Sequence, residues 1–144
     1  MEDLLYDIYK IFVEDSLLDD LYDNTLFTPI TMAMIFFTLL SCVLFYKNPF
    51  AFRTWFYKVN HWILTMVLSA FTFGFLLSFV TCLQKAADEI LRNDLDPEQG
   101  LYFDQGGISF VFFGIENFFV SCILFFIFSL FLRYTSILAK KTPF

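Results

Sequence analysis

The stretch "WILTMVLSAFTFGFLLSFVTCL", residues 62–83, decides the fold because it carries no charged side chain from end to end. The hydrocarbon core of a bilayer is about 30 Å thick, and an α-helix needs about 20 apolar residues to cross it. Backbone N–H and C=O groups inside lipid must bond to one another, so a segment of this kind forms a helix despite its many phenylalanines. The stretch therefore predicts a membrane-spanning helix.

Two further segments, residues 29–46 and 108–132, are also long and apolar enough to cross the membrane. Pro29 opens the first of them, where a proline suits the first helical turn. The whole chain of 144 residues is 58% hydrophobic and contains 23 phenylalanines, more than a soluble domain of this size can bury. We predict an all-α integral membrane protein with three transmembrane helices preceded by an acidic amphipathic N-terminal helix.

The predicted N-terminal helix lies within residues 1–28, which hold eight acids against one base. Residues 3–13 place their apolar side chains along one helical stripe, with charged side chains opposite. Helices that lie on a lipid surface are usually rich in Lys and Arg, which attract anionic headgroups. This acidic segment is expected to pack on protein instead, and its predicted role is to dock a partner.

The distribution of Lys and Arg predicts how the chain threads the membrane. The segments 47–61 and 133–144 together carry six bases, whereas residues 1–28 and 84–107 carry three. The basic segments of a membrane protein stay on the cytoplasmic side or its equivalent, so we expect the N-terminus outside and the C-terminus inside. The pattern leaves open whether the membrane is a bacterial inner membrane or a mitochondrial inner membrane.

The basic segment 47–61 is also rich in aromatic residues, and this combination is typical of a membrane–water interface. We interpret its aromatic and basic side chains, together with the first residue of the next span, as interfacial anchors: Arg53, Trp55, Tyr57, Lys58 and Trp62. His61 lies at the same boundary, where a hydrogen-bonded or solvated histidine is the simpler interpretation and a proton-handling role the alternative.

The second span contains a ridge of small residues at every fourth position, formed by Ala70, Gly74, Ser78 and Cys82. Small side chains let two helix backbones approach closely, which is how helices in lipid gain packing energy. The ridge therefore predicts a helix–helix contact without naming the second helix. The three cysteines of the chain are expected to be small packing residues.

The third span carries a single charge, Glu116, next to Asn117, with Ser121 one turn further along. Glu116 is the ninth residue of the span, which places it about 12 Å below the membrane surface. A carboxylate at this depth is costly and is rarely left facing lipid. It is either protonated and bonded to another helix, or paired with a base from another subunit, or part of a wet path for ions or protons. The chain has no base of its own at this depth.

Several classes of function are excluded or disfavoured by the composition. The chain lacks a basic soluble surface, so nucleic-acid binding is not expected. No nucleophile–base pair, paired-carboxylate motif or HExxH motif is present, so we expect no enzyme, no cofactor and no metal. The Asp94-x-Asp96-x-Glu98 spacing lacks the full pattern of a calcium loop, and a solvated acidic loop is the simpler interpretation.

The prediction for function is a small, non-catalytic accessory subunit of a larger membrane complex. Its transmembrane helices would pack against other subunits, and its acidic outer segments would dock their extramembrane parts. The bilayer and other membrane subunits are the expected partners. The alternative is a homo-oligomeric pore or ion-conducting protein in which Glu116 lines the path, because a ring of carboxylates favours cations.

Overall fold

The computed structural model describes residues 9–10, 15–23, 25–47, 59–95 and 107–135, and every regular element in these ranges is helical. The elements in chain order are α1 (Asp15–Asp23), α2 (Phe27–Lys47), α3 (Val59–Ser69), a π-helical segment (Ala70–Leu76), α4 (Leu77–Leu95) and α5 (Gly107–Thr135). The segments α3, π and α4 follow one another without interruption and form one long helix.

Three helices are long and apolar enough to cross a membrane, namely Phe27–Lys47, Val59–Asp88 and Gly107–Arg133. The prediction of an all-helical protein with three such helices is thereby confirmed. The most apolar part of each helix buries only 33%, 22% and 22% of its residues inside the protein. Large apolar side chains instead point outward, among them Phe36, Leu64 and Phe131. A surface of this kind is suited to lipid and not to water.

Two clusters of buried side chains fix an antiparallel arrangement of the three spans. At one end, the starts of α2 and α5 meet the middle of α4 through Ile30, Phe110 and Cys82. At the opposite end, the C-terminal parts of α2 and α5 meet the start of α3 through Tyr46, Phe125 and Trp62. The first cluster lies at the end of the bundle that carries α1, and the second lies next to the exposed bases Lys47 and Arg133.

The described part of the acidic N-terminal segment packs on protein. The apolar side chains Leu17, Leu18 and Leu21 of α1 are fully buried in the first cluster, whereas Asp19 is exposed. The predicted helix over residues 1–28 is not confirmed as a single element, because α1 begins at Asp15 and residues 1–8 and 11–14 lie outside the described residues. α1 ends at Asp23, next to the turn that leads into α2.

The turn from α1 to α2 is a Schellman motif with a threonine at the position that usually holds glycine. The backbone N–H of Leu26 donates to the carbonyl of Leu21, and that of Thr25 donates to the carbonyl of Tyr22, both at 2.9 Å. Thr25 has φ of 56°, in the left-handed region that β-branched residues rarely adopt. The turn directs the chain from α1 into the first membrane-spanning helix.

Candidate functional site: a buried polar network beside Glu116

Asn117 is the centre of a buried polar network between three parts of the chain. Its side chain is fully buried on the inner face of α5. Its Nδ2 donates to Oγ of Ser78 in α4 at 2.7 Å, and its Oδ1 accepts a hydrogen bond from the hydroxyl of Tyr9. Ser78 in turn donates to the carbonyl of Gly74 at 2.7 Å. The amide thus has a donor and an acceptor partner, as a polar group in a low-dielectric interior requires.

The close approach of two helices brings these groups within reach of one another. A methyl group added at Gly74 would lie 2.5 Å from the carbonyl oxygen of Asn117 and 2.9 Å from Cα of Phe118. On α5, a methyl group added at Gly114 would lie 2.9 Å from the ring of Phe75. Each helix therefore contributes one glycine to the crossing. The ridge predicted at Ala70, Gly74, Ser78 and Cys82 is buried along its whole length and faces α5 at this crossing.

The π-helical segment explains how a ridge at every fourth residue stays on one face. In an α-helix, each step of four residues turns about 40° too far, so a straight ridge drifts around the helix. The backbone N–H of Leu77 bonds the carbonyl of Thr72, five residues back, which is the wider turn of a π-helix. The wider turn offsets this drift between Ala70 and Ser78. Both residues, with Gly74 between them, are therefore buried against the neighbouring helix.

Two further polar layers lie on the same face of α5, closer to its C-terminal end. Ser121 shares a hydrogen bond of 2.8 Å with Thr38 of α2, and both hydroxyls are buried. Ser129 accepts a hydrogen bond of 3.0 Å from the indole N–H of Trp62 and lies 3.4 Å from Sγ of Cys42. The polar residues of α5's inner face are thus satisfied within the described part of the chain.

Tyr9 reaches from the N-terminal segment into the bundle between α2 and α5. Its ring meets Phe27 edge-on, with 5.2 Å between the ring centroids, and lies 6.1 Å from the ring of Phe113. Burial raises the pKa of the Tyr9 phenol, and the Glu116 carboxylate adds to this rise, whereas a hydrogen bond with Thr31 lowers it. The phenol is therefore held neutral and close to Glu116.

Glu116 differs from its neighbours because its carboxylate is incompletely paired. The side chain is half-buried, and its Oε2 atom is buried without a hydrogen-bond partner among the described residues. The phenol of Tyr9, which lies close enough to interact with Glu116, donates its single proton to Asn117 instead. Within the described residues, this carboxylate oxygen therefore lacks a hydrogen bond.

The remaining residues singled out in the sequence fall into two groups. Asn117 and Ser121 lie in the network described above, and Trp62, predicted as an interfacial anchor, is buried with its N–H bonded to Ser129. Arg53, Trp55, Tyr57 and Lys58 lie outside the described residues, as do Asp96 and Glu98. Sequence reasoning did not single out Tyr9, Thr38 or Ser129. The two hydroxyl residues follow the four-residue spacing of their helices, whereas nothing near Tyr9 in the sequence marks it.

The described residues contain no group of three or more His, Cys, Asp and Glu side chains that could hold a metal ion. Comparison with protein-family models, curated proteins and solved structures found no match to this chain. The arrangement of its own residues is therefore the basis for a functional proposal.

Proposed function

We propose that this protein is a small, non-catalytic subunit of a larger membrane complex. The single observation that carries the proposal is the state of Glu116: a carboxylate in a membrane-spanning helix, half-buried, with a buried oxygen that no described residue bonds. A charged group at such a position nearly always pairs with another group in protein or lines a wet cavity. The partner group would come from another subunit.

The hydrogen bonds along the inner face of α5 support a structural role over a catalytic one. Asn117, Ser121 and Ser129 each bond to a neighbouring helix or to the N-terminal segment, which fixes the packing of one chain. Their hydrogen bonds are the kind that position helices in lipid, where packing and interhelical bonds replace the hydrophobic effect. Glu116 lies beside this network, and none of these hydrogen bonds includes its carboxylate. This favours a contact between Glu116 and a group of another subunit.

The acidic segments support docking at one end of the bundle. Residues 1–28 carry eight acids against one base, and residues 84–107 carry six acids against two bases. The helix α1 covers the end of the bundle where α5 begins, so both segments adjoin the same end. A partner with a basic extramembrane surface would complement them through attraction that salt weakens.

The proposal is tested by the size and composition of the particle that contains the chain. A tagged full-length chain is expressed at native level, extracted from its own membranes in mild detergent, and its mass is measured. We expect a particle well above 17.0 kDa with a constant set of other subunits. Glu116→Ala is expected to lose them, whereas Ile115→Ala, a change on the same turn, keeps them. A wild-type chain that migrates alone refutes the proposal.

The alternative function, a homo-oligomeric conductor of cations, draws on the same carboxylate. The glycine crossing brings the backbones at Gly74 and Asn117 into contact, so any path would lie between copies and not within one chain. The purified protein alone is reconstituted in liposomes and cation flux is measured. Flux that disappears in Glu116→Gln supports the pore and contradicts the accessory subunit. Absence of flux from the wild-type protein contradicts the pore and supports the accessory subunit.

A further inference from the structure

An outward stripe on α5 has the spacing of a helix–helix contact. Phe112, Glu116, Phe119 and Ile123 follow one another at steps of four, three and four residues, and the three apolar members are 61%, 60% and 59% exposed. Phe126 and Leu130 continue the stripe at the same spacing. This is the heptad pattern by which one helix packs its knobs into the holes of another, the commonest geometry in membrane bundles.

The polar member of the stripe distinguishes a docking surface from a surface that only meets lipid. Exposed Phe and Ile side chains are stable in contact with lipid and do not require a protein partner. Glu116 is different, because one of its carboxylate oxygens is buried against its own chain without a hydrogen bond from the described residues. A single polar group in an otherwise apolar heptad stripe sets the register and the choice of partner. Glu116 therefore determines which kind of polar side chain the second helix must carry at the same depth.

Charge selects among the possible occupants of this stripe. A second copy of the chain in parallel would bring a second carboxylate to the same depth. It would also set its acidic segments beside an identical set, which is a repulsive arrangement. A helix with a Lys or Arg at the depth of Glu116 would instead form a hydrogen-bonded ion pair. Basic residues at the outer end of that helix would meet the acidic segments.

We infer that the stripe from Phe112 to Leu130 docks a transmembrane helix of a different subunit, which carries a Lys or Arg opposite Glu116. The inference rests on the proposed function and names the chemistry of its partner. The base pairs with the half-buried carboxylate of Glu116, and the exposed phenylalanine rings on either side exclude lipid from the pair. One acidic position thus fixes both the identity and the register of the partner helix.

Site-specific photocrosslinking in native membranes tests the inference. A photoreactive amino acid replaces Phe119 in one full-length chain and Ile123 in another. Matched controls carry it at Phe36 on α2 and Leu64 on α3, which are 60% and 55% exposed. We expect the α5 positions to label one transmembrane segment with a Lys or Arg, which lies about one helical turn from the site labelled through Phe119 and about two turns from the site labelled through Ile123. The control positions are expected to label that segment at least about tenfold less.

A charge exchange provides the second measurement. Glu116→Lys is expected to reduce the recovery of the labelled subunit about tenfold or more, the order set by losing a polar contact between helices in lipid. Changing the partner's base to Glu in the same cells is expected to restore it. Labelling of a second copy, of a helix without a base, or of lipid alone overturns the inference. So does failure of the exchange to restore recovery when the Glu116→Lys protein is inserted and folded like wild type.

The two proposals fail in different ways. A chain extracted alone from native membranes refutes the accessory function and the inference together. A complex that keeps its composition while crosslinks from Phe119 map to no basic helix refutes the inference alone. The wild-type crosslinks do not depend on the folding of any charge variant, so a misfolded Glu116→Lys protein leaves this decision unchanged.

Discussion

Tyr9 and Asn117 are joined by a buried hydrogen bond across 108 residues of sequence, with the phenol donating to Oδ1 of the amide. The bond ties the N-terminal segment to the inner face of α5, where Asn117 also holds Ser78 of α4. One side chain thus connects the segment before the first span, the second span and the third span. Loss of either partner leaves a buried polar group unsatisfied, which costs more than the bond itself contributes.

Removal of this connection should lower the stability of the bundle. We expect Asn117→Ala to reduce the free energy of unfolding by about 2 kcal/mol and Tyr9→Phe by about 1 kcal/mol, and the double variant to lose less than the sum. Stability is measured by far-UV circular dichroism in mixed micelles with a rising fraction of denaturing detergent. Thr81→Ala is the control, because its hydroxyl bonds the carbonyl of Leu77 in its own helix. Strict additivity would contradict direct coupling.

The two glycines at the helix crossing should differ from a third glycine that touches nothing. Gly74→Ala places a methyl group against the backbone of Asn117 and is expected to cost about 1–3 kcal/mol. Gly114→Ala meets mainly the side chain of Phe75, which can shift, so its cost is expected to be smaller. Gly107→Ala has nothing within 4 Å and should change the unfolding free energy little. The same unfolding measurement checks this order, and a Gly74→Ala protein as stable as wild type would refute the close approach.

A stabilising substitution is expected at the turn between α1 and α2. Thr25 is exposed and adopts φ of 56°, which costs an L-residue about 1–2 kcal/mol relative to the right-handed region. Glycine adopts this conformation without the Cβ clash, so Thr25→Gly should raise the unfolding free energy by about 0.5–1 kcal/mol, part of the gain being offset by backbone entropy. Thr81→Gly, inside α4, should have the opposite sign. Destabilisation by Thr25→Gly would contradict the assigned turn.

The titration of Tyr9 should report its burial directly. Its pKa is raised in the folded protein, so its contribution to stability is present below the ordinary tyrosine pKa of about 10. That contribution is lost as the pH rises through the higher folded value. At about pH 11, the absorbance at 295 nm of folded wild type and of Tyr9→Phe should be nearly equal, because the phenol is still neutral. In denaturant the two should differ by one ionised tyrosine. A full difference in the folded state would show an exposed Tyr9.

The three helices could be predicted from the sequence because the bilayer sets their length and forces backbone groups to bond within each segment. The ridge at Gly74 and Ser78 could be recognised for a similar reason, since small residues at a helical repeat mark a close contact whatever the second helix is. The sequence could not show that Asn117 is the group opposite Ser78, because both lie in helices whose relative rotation depends on all their contacts. Nor did any pattern mark the π-helical segment that keeps the ridge in line.

Sequence alone determined that this chain belongs in a membrane and which segments are long and apolar enough to cross it. It also determined that a charge at Glu116 is energetically costly. These properties depend on local runs of side chains and on the solvent around them. Only the tertiary structure decided that the phenol of Tyr9, which lies close to Glu116, donates its hydrogen bond to Asn117 instead. That result depends on contacts between residues far apart in the chain, because a buried donor has few hydrogen bonds to give and the packing of distant segments decides which acceptors receive them.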